Sequence, residues 1–232
     1  NTGAVSGTKA HCVGGVCGQN GNGTITNCYN TGAVSGSETV GGVSGRILSK
    51  GKITNCYYDS DKYSGNAVGY NGGVVADVNG KTTAQFNSGE VAYLLSQGCT
   101  IGEGEDAVTY DGSVWGQAIG TDNYPVLGGA NVYYGYEKCN STEMTYSNKE
   151  ISQTYPAHDY DNGFCKVCNA YEPATQNADG VYEIGNAGQL YWFADKVNNE
   201  NETYTNANAV LTANIVVNTN VLNSNGELNS GT

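Results

Sequence analysis

Basic residues are scarce. Ten Lys and Arg stand against twenty-two Asp and Glu in 232 positions, a formal net charge of −12. Phosphate neutralisation needs Lys and Arg, so this balance argues against a nucleic-acid partner. Long apolar runs are missing too: none reaches the roughly 20 residues that cross a bilayer, which excludes membrane insertion by a helix of this segment. Histidine occurs twice, as His11 and His158, and proline three times. The apolar share is 38%, with a mean hydropathy of −0.41. A long, narrow core fits that supply better than a thick globule.

Glycine, asparagine, threonine and tyrosine fill the space. Thirty-four glycines point to many turns, and eighteen tyrosines alongside Thr and Val favour strands over helices. Charge is uneven. Residues 1–58 hold four basic residues, Lys9, Arg46, Lys50 and Lys52, against Glu38 alone, giving +3; the remainder holds six basic and 21 acidic, giving −15. The chain opens on Asn inside a repeat copy, which reads as an excerpt of a longer protein.

The repeat organises the first 58 residues. "NTGAVSG" stands at Asn1–Gly7 and again at Asn30–Gly36; "ITNCY" stands at Ile25–Tyr29 and again at Ile53–Tyr57; "VGGVCG" from Val13 returns as "VGGVSG" from Val40. A period near 28 residues marks a solenoid or related array. Each period holds short strand-like pieces parted by Gly and Asn, with no amphipathic helical spacing. The expected architecture is therefore mostly β: a parallel β-solenoid whose rungs pair at about 4.8 Å. Ile25 stacks on Ile53, Val5 on Val34 and Val16 on Val43. Asn27 and Asn55 form an amide ladder at a turn, and Cys28 over Cys56 reads as a column of small thiols.

These phrases, "GxITNCYNTGAVSGxxxVGGVSG", resemble the GLUG repeat of bacterial extracellular proteins, including non-catalytic parts of some IgA-cleaving metallopeptidases. The resemblance covers residues 1–58 closely and weakens through "FNSGEVAYLLSQG" and "WGQAIGTDNYPVLGG". It implies an extracellular location at a bacterial cell surface. The peptidases' His-Glu-x-x-His zinc helix is absent here, so their catalysis does not carry over.

An array end needs a cap. "NSGEVAYLLSQG" predicts a short helix with Ser88 as N-cap, Val91, Leu94 and Leu95 on one face and Gly98 as its stop. Trp115, Tyr124, Val126 and Leu127 are expected to seal the end. Further on, Asn186 and Gln189 have capping-box spacing, and Leu190, Phe193, Ala194 and Val197 define one buried helical face. "AVLTANIVVN" reads as strand. The expected division is rungs over 1–64, their C-terminal cap over 65–130, a Tyr- and Cys-rich linker over 131–178, and over 179–232 the cap and first strands of a second solenoid.

Cys165 and Cys168 form a C-x-x-C, with His158 and Cys139 upstream. Three thiolates and an imidazole can complete a tetrahedral structural zinc site. A disulfide from Cys139 to one of the pair, or plain thiols, remain open; no βαβ pattern supports a redox pair. Asp59 and Asp61 echo the start of a calcium loop without its later ligands, and a solvated turn is the expected reading. Glu103, Glu105 and Asp106 read as a surface loop. The rungs offer one acidic residue, Glu38, and no converging carboxylates, so no enzyme is expected. The expected function is a non-catalytic spacer or adhesion scaffold whose partners are surface proteins or glycans, with end-to-end self-association through exposed rungs. The alternative is a carbohydrate-binding module using Tyr133, Tyr134, Tyr136, Tyr191 and Trp192.

Overall fold

The computed structural model describes residues 1–9, 11–199, 204 and 206–217. The fold is mostly β, in small sheets of two or three strands, with three α-helices among the described residues. Packing divides it into two units: residues 1–137 with 143–154, and residues 138–142 with 155–232.

The first unit begins with β1 (Val5–Gly7), β2 (Cys12–Gly14), β3 (Cys17–Asn20) and β4 (Thr24–Asn30). The same order then repeats as β5 (Val34–Gly36), β6 (Thr39–Gly41), β7 (Ser44–Ile47) and β8 (Lys52–Asp59). Each strand pairs in parallel with its own copy. Val5 lies opposite Val34, Val13 opposite Val40, Cys17 opposite Ser44 and Ile25 opposite Ile53. A one-residue slip would put Ile25 opposite Thr54 or Lys52 and turn the apolar set to the other face, which is what fixes the register.

A third layer follows that the repeat phrases do not announce. β9 (Val68–Asn71) pairs with β7, and β10 (Val74–Lys81) pairs with β8, again in parallel. Val75 lies opposite Ile53 after 22 residues, against 28 between Ile25 and Ile53. The shorter spacing removes the phrase identity that marks the first two layers.

Asn27, Asn55 and Asp77 recur at one position of the stacked strands, each left-handed with φ of 52, 48 and 52°. Strand side chains alternate faces, so one such residue shifts the parity. Ile53 and Cys56, three apart, thereby enter the same core as Tyr58, while Tyr57 turns to a second cluster with Phe86, Val91 and Leu95. Val43, Ile47 and Ile53 are fully buried and contribute on the order of 2 kcal/mol each. The paired glycines of "VGGVSG" have a steric cause. A Cβ on Gly41 would run into the Ser44 carbonyl, and one on Gly42 into the Tyr58 ring.

Beyond the stacks, α1 (Thr83–Asn87) and α2 (Glu90–Ser96) pack on β8. The first is capped by a complete Thr82/Gln85 capping box. Ser88, expected as the N-cap of the second helix, instead ends α1; Gly89 with φ 90° is the N-cap of α2, because a left-handed residue is needed to turn one helix into the next. Val91 and Leu95 are buried, Leu94 is partly so, and Gly98 stops the helix with φ 64°. Trp115 and Tyr124 join this second core. Val126 and Leu127 do not seal anything: they form the outer strand of a hairpin with Trp115–Gly116 and stand 39% and 68% exposed.

Asp59 and Asp61 support the start of α1, and the solvated turn expected here holds for Asp61 but not for Asp59, which is buried because its carboxylate is taken up by that helix. Asp59 accepts the Thr83 hydroxyl at 2.7 Å and Asp61 accepts the Thr83 N–H at 2.9 Å. Glu103, Glu105 and Asp106 lie exposed around a single 3₁₀ turn.

In the second unit, Tyr160–Asp161 and Phe164–Cys165 make a hairpin. Strand Tyr182–Ile184 pairs antiparallel with Thr175–Gln176 and parallel with Ala209–Leu211. Between the parallel pair runs α3 (Ala187–Asn199). Asn186 accepts the Gln189 N–H at 2.9 Å as expected, but Gln189 reaches back to the Gly185 N–H, not to that of Asn186. The buried face of α3 is Ala187 and Gly188. Leu190, Phe193 and Val197 are half-buried and Ala194 is exposed, because Gly163 packs directly against Gly188 and sets the contact at the first turn. Of "AVLTANIVVN", Ala209–Leu211 is strand, 212–217 is not, and Asn218 lies outside the described residues.

Candidate metal centre

Three pieces of chain, all within the second unit, bring the candidate ligands together. Cys139 sits in a short turn closed by Ser141 N–H to Lys138 O and Lys138 N–H to Ser141 Oγ. His158 enters the hairpin, its ring stacked on Tyr160 at 5.5 Å. Cys165 leaves the hairpin opposite Tyr160. The hairpin turn is Asn162-Gly163, with φ of 46 and 80°, the residue pair that a two-residue turn favours. That Asn-Gly signal stood in the sequence unread, and it aims the C-x-x-C at the other two ligands.

The knuckle after Cys165 is tight. Asn169, left-handed with φ 57°, donates its N–H to Cys165 O at 2.9 Å, and Cys165 donates its own N–H to Ala170 O at 2.9 Å. This loop turns backbone N–H groups toward the Cys165 sulfur.

The four donor atoms lie within 4.8 Å of one another. Cys139 Sγ is 3.6 Å from Cys165 Sγ and 3.6 Å from Cys168 Sγ, and Cys168 Sγ is 3.4 Å from His158 Nδ1. Among the described residues no other three His, Cys, Asp or Glu side chains converge this way. No disulfide joins any of the eight cysteines; Cys28 and Cys56 face each other across β4 and β8.

Electrostatics separate the thiols. Burial pushes Cys165 up, but the N–H groups of Cys168 and Val167 and the His158 ring outweigh it and bring the thiol down to about 6. Cys139 is pushed up to about 11 by burial and by its hydrogen bonds to the other two sulfurs. Cys165 thus gives up its proton more readily than Cys139. A cation entering the cluster would supply the charge that lets the others deprotonate.

The aromatic candidates divide. Tyr133 and Tyr134 belong to a first-unit hairpin with Thr145–Ser147, and Tyr136 bridges to Ser152 beside it. Tyr191 and Trp192 lie on α3 in the second unit, Tyr191 stacked on Tyr171 and Trp192 against Tyr182. His11, the other histidine, pairs with Glu38 at 2.6 Å on the surface of the stacks.

Comparison with known families adds one match. Residues 9–35 fit the description "The GLUG motif". The chain carries a GLUG motif. The matched GLUG stretch holds β2, β3 and β4 and enters β5, and its strands are the ones that pair in register with their copies in β6, β7 and β8. No curated protein and no solved structure matches the chain. No helix among the described residues is long and apolar enough to cross a membrane.

Proposed function

We propose that this chain is a non-catalytic structural segment of a large bacterial cell-surface protein, a spacer or adhesion scaffold built on β-solenoid rungs. The observation that carries this reading is the pairing of each strand with its own copy, Ile25 on Ile53 on Val75. A fold that pairs copy with copy grows in length by adding copies, and each new layer contacts only its neighbours. The extracellular, surface-exposed setting rests on the GLUG resemblance. The parallel pairing of Tyr182–Ile184 with Ala209–Leu211 across α3 supports a second array starting there.

In this reading the cysteine–histidine cluster is a structural zinc site. Zn–S bonds of about 2.3 Å and Zn–N bonds of about 2.0–2.1 Å in a regular tetrahedron put sulfurs about 3.8 Å apart and sulfur to nitrogen about 3.6 Å. The observed 3.6 and 3.4 Å separations match those edges and exceed a disulfide bond of about 2.05 Å. Four protein ligands leave no open position for catalysis.

The spacer reading is tested by adding a rung. A second copy of residues 24–51, inserted after Gly51, keeps every strand facing a copy of itself. The expected outcome is a folded protein of undiminished thermal stability, longer by about 4.8 Å in small-angle scattering. Loss of cooperative unfolding on insertion would show that the layers are not interchangeable and would end the spacer reading.

A further inference from the structure

The first unit carries a groove of about 370 Å³. That volume lies within the range of about 300–1,000 Å³ typical of small-molecule sites. Four segments build it: α2, the Ser113–Trp115 turn, the Asn131–Tyr134 strand entry and the Ile151–Gln153 return. Its lining contains Trp115, Tyr133 and Tyr134 beside the amides Gln97, Asn131 and Gln153, and no charged side chain.

The rings are held before any ligand arrives. Trp115 donates its Nε1–H to Asn27 O at 3.0 Å, and Tyr134 stacks on Tyr146 at 4.7 Å with an interplanar angle of 25°. The amides keep spare capacity. The Asn131 side chain makes no hydrogen bond among the described residues; only the Asn131 backbone carbonyl accepts, from the Asn148 amide. Gln97 spends its N–H groups on Tyr93 O and Ser96 Oγ, leaving its oxygen as an acceptor. Gln153 only grazes the Tyr93 hydroxyl at 3.4 Å.

This combination selects a chemistry. Aromatic walls want a flat apolar face, while free amide donors and acceptors want hydroxyls around its rim. The lining holds no cation to pair with a carboxylate or a sulfate, so nothing in it favours an acidic ligand. A purely apolar molecule would leave the amides unused. We propose that this groove binds a neutral saccharide, the rings taking the C–H face of a sugar and Gln97, Asn131 and Gln153 taking its hydroxyls.

The experiment uses the full chain on an array of neutral, sialylated and sulfated glycans, followed by titration of the neutral hits in solution. The chain has two tryptophans, so Trp192→Phe leaves Trp115 as the sole indole reporter in the groove. The expected result is binding to neutral glycans, a shift of Trp115 emission on titration, and about 3- to 10-fold weaker binding for each of Asn131→Ala and Gln153→Ala. Both are exposed side chains, and their unchanged thermal unfolding is the control. Silence across the neutral glycans, binding confined to acidic ones, or binding that leaves Trp115 emission and both variants' affinities unchanged would overturn the assignment.

Discussion

Asn55 holds a left-handed backbone at φ 48° inside a strand and is nearly buried. Its amide donates to Asn27 Oδ1 at 2.8 Å and to Gly98 O at 3.2 Å, and its oxygen accepts the Tyr57 hydroxyl at 2.8 Å. One side chain thus joins two layers and the α2 terminus. The amide ladder was legible in the repeat, since Asn27 and Asn55 occupy matching places in "ITNCY". The left-handed turn was not, because neighbour spacing alone does not reveal a parity change that lets Ile53 and Cys56 share a core. Two costs separate on substitution. Asn55→Ala loses three hydrogen bonds, about 1 kcal/mol net each, and forces a Cβ-bearing residue without a local hydrogen bond into the left-handed region, about 1–2 kcal/mol. The expected total is about 4–5 kcal/mol in urea unfolding. Asn55→Gly keeps the turn at little strain and is expected to recover about 1 kcal/mol of that loss. A glycine variant less stable than the alanine one would show that the backbone conformation at this position is not what matters.

Elements were readable where their signals repeat and hidden where they do not. The first two layers share whole phrases, whereas β9 and β10 return after a shortened interval with "VVADVNGK" in place of "KITNCYYD"; only the pairing pattern survives. The helix cap shows the same limit. Apolar spacing becomes visible at Val91, so the sequence reads one helix starting at Ser88. The single turn of α1 buries only Phe86 and has no periodicity to detect. Its start was nonetheless written in Thr82-x-x-Gln85, with Gln85 N–H to Thr82 Oγ1 at 3.2 Å and Thr82 N–H to Gln85 Oε1 at 2.9 Å. Thr82→Ala is expected to cost about 1 kcal/mol and Thr82→Ser to be near neutral, measured by thermal unfolding. Equal stability of both with the parent would mean that Asp59 and Asp61, bonded to Thr83, hold the helix start unaided.

Across the whole molecule the two units differ in what stabilises them. The first has two apolar clusters built on β8. The second buries few apolar side chains among its described residues: Cys165, Ala174, Ile184 and Ala187. So little core leaves a small unit marginal unless a cross-link or ion holds it, and the cluster of Cys139, His158, Cys165 and Cys168 gathers all its ligands there. The C-x-x-C and its outlying partners were readable as residue types; their convergence required the Asn162-Gly163 hairpin and the Asn169 turn. Protein purified without added metal is expected to carry about one zinc per chain. Cobalt exchanged into it is expected to show sulfur-to-metal charge-transfer absorption. Cys168→Ser should lower metal content sharply, while Cys28→Ser, remote in the stacks, leaves it unchanged. Chelation should then strip hydrogen-exchange protection from the Tyr160–Cys165 hairpin and the start of α3 while the amides of β4 and β8 stay protected, because binding energy lost there is folding energy lost there. Equal metal content in the parent and Cys168→Ser would remove the zinc, and with it the reason this thinly packed unit holds its shape.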